Sequence, residues 1–143
     1  MAGSATIPDA AALVRFHTRH KLLLMAHSPA ALNLLGRLVA NAGDGPVELL
    51  AGDYMTTFKN ALEQPATRGG HVNALQHMVG YLRCVLTEDE RRSVSDAIEQ
   101  FAAGHASLAV PLSLIRRHAV THRIQYLLDQ VYLDVSRPVE LEA

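Results

Sequence analysis

Three polar side chains near the middle of the sequence, His71, Asn73 and His77, have types and a spacing that suit ligand binding. At about 100° per residue, Asn73 and His77 share one side of a helix with Tyr81, opposite a stripe of leucine and valine. A helix face of Asn, His and Tyr that has neither Lys nor Glu is not typical of a solvated surface. We therefore expect it to bind a polar or anionic ligand, or else to pack against another helix.

His71 is a conditional member of this set. It lies about 160° around the helix from Asn73, so it joins the site only if the chain at Gly69 and Gly70 is not yet helical. A single His on a helix is otherwise more often hydrogen-bonded in the core.

A second set of candidates lies near the N-terminus, where His17 and Lys21 are one helical turn apart. Neutral His17 could accept a proton and the Lys21 ammonium could hold a phosphate or carboxylate. The alternative is a snorkelling lysine beside a partly buried histidine. Arg68 and Arg83 could extend an anion site through forked hydrogen bonds. Gln130 is a further binding candidate, of a type that can hold an oxyanion or carboxylate.

Metal and nucleophile signals are weak. His118 and His122 are also one turn apart, but no carboxylate or Cys stands at a matching position and the HExxH pattern is absent, so we predict no metal and no cofactor. Cys84 is a weak nucleophile candidate and is better explained as a small buried hydrophobe. No GxSxG, P-loop or GxGxxG pattern occurs.

The composition predicts one all-α domain. The chain has 143 residues, 49% of them hydrophobic and only 5% aromatic, with long Ala and Leu runs that favour helix over sheet. Its single cysteine allows no internal disulfide, which suits a reducing cytosol. No export signal and no apolar run long enough to cross a bilayer is seen, so we expect a cytoplasmic protein without a membrane partner.

Charge is distributed unevenly although the net charge is only −1. Between Asp9 and Asp44 there is no carboxylate, while this segment holds four cations: Arg15, Arg19, Lys21 and Arg37. Acidic residues collect instead after residue 87. The N-terminal third is therefore expected to present a cationic surface.

Capping residues and prolines divide the chain into a compact bundle of six to seven helices. We place an N-terminal tail at 1–8, the helical domain at 9–134 and a C-terminal tail at 135–143. The predicted helices run from Asp9 to about Ala26, Pro29 to Asn41, Pro46 to Glu63, Gly70 to Leu86, Thr87 to Gly104, from Pro111 onward, and within Ile124 to Leu133.

Two patterns carry a family resemblance: FHxRxK at residues 16–21 and HxNxLxHxxGY at residues 71–81. Together with the runs at 16–40, 68–83 and 130–133, they make nearly the whole chain resemble the YbgA-like domain family. Leu82 stands where that family often has an aromatic residue, which weakens a base-stacking role at this point.

The resemblance implies an accessory role in RNA chemistry. Such domains occur alone, or as the C-terminal half of proteins whose N-terminal half is a cysteine-bearing desulfidase acting on thiolated uridine in tRNA, where the domain looks like the part that helps to bind RNA. This sequence has no such cysteine-bearing half, so a desulfidase would have to act as a separate partner.

Three functions stay open at this point. The first is a tRNA-, RNA- or nucleotide-binding domain, with cations on phosphates and Asn73 or His77 on a base or sugar. The second is a small enzyme, group-transferring or ligase-like, with His77 or His17 as catalytic base and Lys21 or Arg68 holding an anionic substrate. The third is a scaffold domain in which the polar stripe is only a seam between helices.

Overall fold

The computed structural model describes residues 9–43 and 45–134. These residues form eight α-helices and one short 3₁₀ helix, and no strand occurs among them, which confirms the all-α class. The helices are α1 (Ala10–Arg19), α2 (Lys21–His27), α3 (Pro29–Ala40), α4 (Val47–Glu63), α5 (Arg68–Leu82), α6 (Glu88–Ala102), α7 (Ala109–His122) and α8 (Gln125–Leu128), followed by the 3₁₀ helix Val131–Leu133.

Side-chain caps begin α1, α3 and α6 where the sequence predicts them. Asp9 accepts a hydrogen bond from Ala12 N at 2.8 Å, and Ser28 accepts one from Ala31 N at 3.1 Å. Thr87 and Glu90 form the complete capping box of α6. Thr67 is a cap that the sequence analysis missed, so α5 begins at Arg68 rather than at Gly70.

The predicted first helix is wrong in one respect, because it is two helices that meet at His20. Gln130 joins the two ends: its Oε1 accepts from Leu22 N at 3.2 Å and its Nε2 donates to Thr18 O at 2.6 Å. A break in a helix exposes backbone groups that need partners. Here one buried amide, 108 positions after Leu22 and 112 after Thr18, binds one backbone group on each side of the break.

The buried stripe of α5 differs from the predicted one. Leu75 and Leu82 are buried as expected, but Val72 and Val79 are only half-buried, and α5 ends at Leu82 instead of Leu86. The buried side chains of this helix are His71, Ala74, Leu75, Met78 and Leu82. His71 therefore belongs to the core face, while Asn73 is exposed.

Helix α2 lies between the two hydrophobic cores of the domain. Leu22 and Ala26 pack into the larger core with α5, α6 and α7, and Leu24 packs into a smaller core with α1, α3 and α4. Gly70 on α5 allows the close approach to α2, because a Cβ there would lie 2.2 Å from Ala26 O. This arrangement brings α1, α2, α3, α5 and α8 around one surface depression.

Among the described helices, none is long and apolar enough to cross a membrane. The two predicted tails, 1–8 and 135–143, lie outside the described residues.

Candidate ligand-binding site

A pocket of about 580 Å³ opens where α2 and α3 meet α1, α5 and α8. Apolar side chains of Leu22, Met25 and Leu32 form part of its wall. The polar part of the lining comes from five helices and consists of His17, Lys21, Asn33, Arg37, His77 and Tyr126.

Every polar side chain in this lining can donate a hydrogen bond through an N–H or O–H group, and none is a carboxylate. Lys21 and Arg37 carry a full positive charge. Neither they nor His77 makes a hydrogen bond or ion pair within the described part of the chain. Lys21, Arg37 and His77 are therefore donors that are not used within the described residues.

His17 is held in one orientation by Tyr54. The imidazole is buried, and its Nδ1 lies 2.8 Å from the Tyr54 hydroxyl oxygen. Tyr54 is fully buried, and its hydroxyl has no other partner among the described residues, so its proton is satisfied only by donation to Nδ1. The neutral ring then carries its own proton on Nε2.

The protonation state of His17 follows from its surroundings. Burial, helped by the positive charge of Lys21 and by His20, lowers the pKa of His17 to about 4. The ring is therefore neutral at pH 7. A Cβ placed at Gly36, which also lines the pocket, would lie 3.8 Å from Nε2, so the absence of a side chain there leaves the Nε2–H group facing open space.

Tyr126 forms an aromatic wall of the pocket. Its ring stacks on Tyr81, with centroids 4.5 Å apart and an angle of 24° between the planes. The His77 ring lies beside Tyr81, with its centroid 6.1 Å from that of Tyr81. Burial raises the pKa of Tyr126, which keeps its hydroxyl protonated.

The fold thus brings His17, Lys21 and His77 together, although they come from separate helices. Tyr81 supports this site from behind Tyr126 and is itself 43% exposed. Asn73 and Arg83 are exposed and lie outside the pocket lining.

The structure gives other predicted ligand-binding residues internal partners. Arg68 donates to Phe101 O at 2.7 Å, and its guanidinium lies 5.0 Å above the Phe101 ring. Both polar atoms of the Gln130 amide are bound to backbone at the break between α1 and α2. Arg68 and Gln130 therefore use their polar groups within the protein, and neither residue lines the pocket.

His71 does not join Asn73 and His77, because α5 is already helical at Arg68. Its ring is buried beside Tyr132, whose hydroxyl lies 2.5 Å from Nδ1. Burial, followed by the nearby His27 and Arg68, lowers the pKa of His71. His71 lies in the core, which is the position expected of it when the chain at Gly69 and Gly70 is already helical.

Sequence reasoning missed Asn33, Tyr126 and the orienting Tyr54. Asn33 and Arg37 are one turn apart on α3, with Gly36 beside them, which was a readable signal for a polar helix face. Tyr126 and Tyr54 carried no such signal, because only tertiary packing brings them to His17 and His77. Cys84, expected to be buried, is exposed.

The fold and the site define an all-helical domain that carries a donor-lined pocket between its helices. The family described as protein of unknown function (DUF1722) matches residues 21–136. The uncharacterized protein YbgA of Escherichia coli (strain K12) is 28% identical over 128 residues, which cover 87% of this chain and 74% of YbgA. The chain belongs to this YbgA-like family. No solved structure matches it.

Proposed function

We propose that this protein binds a nucleotide in the pocket between α2 and α3. The observation that carries the proposal is the lining itself, in which Lys21, Arg37 and the Nε2–H group of His17 point to an anion and no carboxylate opposes it. Cationic side chains and neutral donors on one surface favour phosphate.

The rest of the pocket suits the remainder of a nucleotide. Its volume of about 580 Å³ lies in the usual range for small-molecule sites. The stacked pair Tyr126 and Tyr81 offers an aromatic surface for a base, a contact worth about 1–3 kcal/mol in nucleic-acid complexes. The Asn33 amide has both a donor and an acceptor for a base edge or a sugar hydroxyl.

We further propose that RNA, such as tRNA, presents this nucleotide as an unpaired base, since single-stranded positions are the usual targets of specific RNA recognition. The family resemblance supports this extension and suggests a thiouridine desulfidase as a separate partner protein. A cytoplasmic location, which the single cysteine favours, is part of the same proposal.

The state of His17 favours binding over catalysis by this residue. As an enzyme, the protein would need His17 or His77 as a general base, and a base works best with a pKa near the working pH. His17 has a pKa of about 4, and its Nε2 carries a proton, so it is a donor to the pocket rather than a base. A scaffold role would not explain why Lys21 and Arg37 line the same pocket as His77.

Calorimetric titration with AMP and UMP, and with the parent nucleosides adenosine and uridine, tests the proposal. We expect a monophosphate to bind and its nucleoside to bind at least tenfold more weakly, because a charge-assisted hydrogen bond contributes about 1.5–3 kcal/mol. Lys21→Ala and Arg37→Ala should each lower the affinity for the monophosphate about tenfold or more.

Arg15→Ala is the matched control. Arg15 is an exposed cation of the same N-terminal segment but does not line the pocket, so its removal should leave the affinity nearly unchanged. An absence of monophosphate binding, or equal losses in all three variants, would contradict the proposed site.

A further inference from the structure

The C-terminal part of α7 and the first turn of α6 bring together three side chains of the kinds that bind transition metals. They are Glu90, His118 and His122, whose ligand atoms all lie within 4.8 Å of one another. This cluster shares no residue with the nucleotide pocket.

Each side chain is positioned by its helix. His118 and His122 are one turn apart on α7, which places both imidazoles on the same side of the helix. Glu90 is the third residue of α6, and its Oε1 accepts a hydrogen bond from Thr87 N at 2.9 Å in the capping box. This bond fixes the carboxylate and leaves its Oε2 without a hydrogen bond among the described residues.

His118 is the most buried of the three side chains, with only 8% of its surface exposed. Its imidazole makes no hydrogen bond or ion pair with any described residue, and its ring nitrogens still reach the surface. They are therefore accessible to a ligand. The imidazole shares its surroundings with the ligand atoms of Glu90 and His122.

We propose that Glu90, His118 and His122 bind a divalent first-row transition metal such as Zn²⁺. Imidazole nitrogen and carboxylate oxygen are ordinary Zn²⁺ ligands at about 2.0–2.2 Å, and tetrahedral coordination places them roughly 3.3 Å apart. Rotation of the two histidine side chains toward the fixed Glu90 carboxylate would close the remaining distance. Three protein ligands leave a fourth position for water or a substrate atom, as in catalytic rather than structural zinc sites.

The sequence prediction of no metal site rested on the lack of a carboxylate near the histidine pair. Helix α7 indeed has none, but the packing of α6 against α7 supplies Glu90 from 28 positions earlier than His118. A metal would therefore also link the beginning of one helix to the end of the next.

The test is titration of the chelator-treated full chain with ZnCl₂, followed calorimetrically, and with CoCl₂, followed by visible absorption. We expect one equivalent of Zn²⁺ to bind and Co²⁺ to give the strong bands of a low-coordinate nitrogen and oxygen site. His118→Ala and His122→Asn should lower the Zn²⁺ affinity about 100-fold. Glu90→Gln, which can keep the capping hydrogen bond, should lower it at least tenfold.

Controls separate this site from general metal binding and from misfolding. His105→Ala removes an exposed histidine outside the cluster, and Cys84→Ser removes the exposed thiol, so both should bind like the unaltered protein. If the buried His118 variant fails to fold by circular dichroism, His122→Asn and Glu90→Gln carry the test. No Zn²⁺ binding, or unchanged binding in folded His122→Asn and Glu90→Gln, would overturn the proposal.

Discussion

Two histidine–tyrosine pairs show how one kind of contact can serve two purposes. His17 is paired with Tyr54 and His71 with Tyr132, in each case between Nδ1 and the hydroxyl. Burial lowers the pKa of both imidazoles and raises the pKa of both phenols, so all four groups are neutral near pH 7.

The two pairs differ in the surroundings of the histidine Nε2 atom. In His17 it faces the ligand pocket, whereas in His71 it is buried without a hydrogen-bond partner among the described residues. A buried polar atom without a partner lowers stability. The His71 pair is therefore a packing feature that stabilises through its hydroxyl contact, and the His17 pair also orients a donor toward a ligand.

At the residue scale, we predict that His17 makes stability depend on pH. Its pKa rises from about 4 in the folded chain to about 6.5 on unfolding, so the unfolded state binds an extra proton between these values. Its contribution is therefore complete above pH 6.5 and is lost as the pH falls toward 4. At pH 4.5 we expect this loss to lower the free energy of unfolding by about 2–3 kcal/mol.

Urea unfolding at pH 7.5 and pH 4.5 measures the effect. His17→Gln should reduce the difference between the two pH values, while Gln can still accept a hydrogen bond from Tyr54. His105→Gln, at an exposed position, should leave the difference as it is in the unaltered chain. Equal pH dependence in the two variants would show that His17 is not the responsible group.

At the scale of elements, the contact between α2 and α5 controls the site, because these helices carry Lys21 and His77. Gly70 makes the contact possible at Ala26 O, where a Cβ would clash with backbone. Gly80, ten positions further along α5, has open space where a side chain would stand. Of the three glycines in α5, Gly70 is therefore required by helix packing, whereas Gly80 is not.

We predict opposite effects of alanine at these two positions. Gly70→Ala should lower the free energy of unfolding by about 2 kcal/mol or more, because α2 and α5 must separate to admit the methyl group. Gly80→Ala should raise it by about 0.5–1 kcal/mol, because alanine favours helix and nothing obstructs it.

Thermal and urea denaturation of the two variants side by side provide the measurement. Gly70→Ala should also weaken nucleotide binding, since it moves the helices that carry the lining. A Gly70 variant as stable as the unaltered protein would mean that α2 and α5 are not held this closely.

At the scale of the whole molecule, the four cations between Asp9 and Asp44 do not all face the pocket. Lys21 and Arg37 line the pocket. Arg15 and Arg19 are exposed and stand two positions on either side of His17, about 160° around α1 from it. The expected cationic surface therefore offers only two of its four charges to a ligand in the pocket.

This division predicts the salt dependence of RNA binding. Two neutralised phosphates of a single-stranded segment give a slope of about −1.4 for log K against log salt concentration, whereas four give about −2.8. Filter binding or fluorescence anisotropy with tRNA at several salt concentrations measures the slope. We expect the smaller value, further reduced by Lys21→Ala and unchanged by Arg15→Ala.

Other slopes have distinct meanings. A slope near −2.8 that falls in the Arg15 variant would show that RNA contacts the far side of α1 as well. No binding at low salt would remove RNA as the source of the nucleotide and leave the titrations with free monophosphates to decide the site.

The sequence by itself determined the all-helical class, several helix starts and part of the site. Asp9, Ser28 and the Thr87–Glu90 box act locally, within one turn, so their effect can be read from neighbouring residues. Helical periodicity made the place of His71 depend on where α5 begins, and Lys21 was identified from its spacing to His17.

Only the tertiary structure decided which of these residues meet. The break at His20 depends on Gln130, the tautomer of His17 on Tyr54, and the carboxylate beside His118 on the packing of α6. Each contact joins residues that are distant in the chain. Spacing along one helix fixes the direction of a side chain but not the partner that stands opposite it.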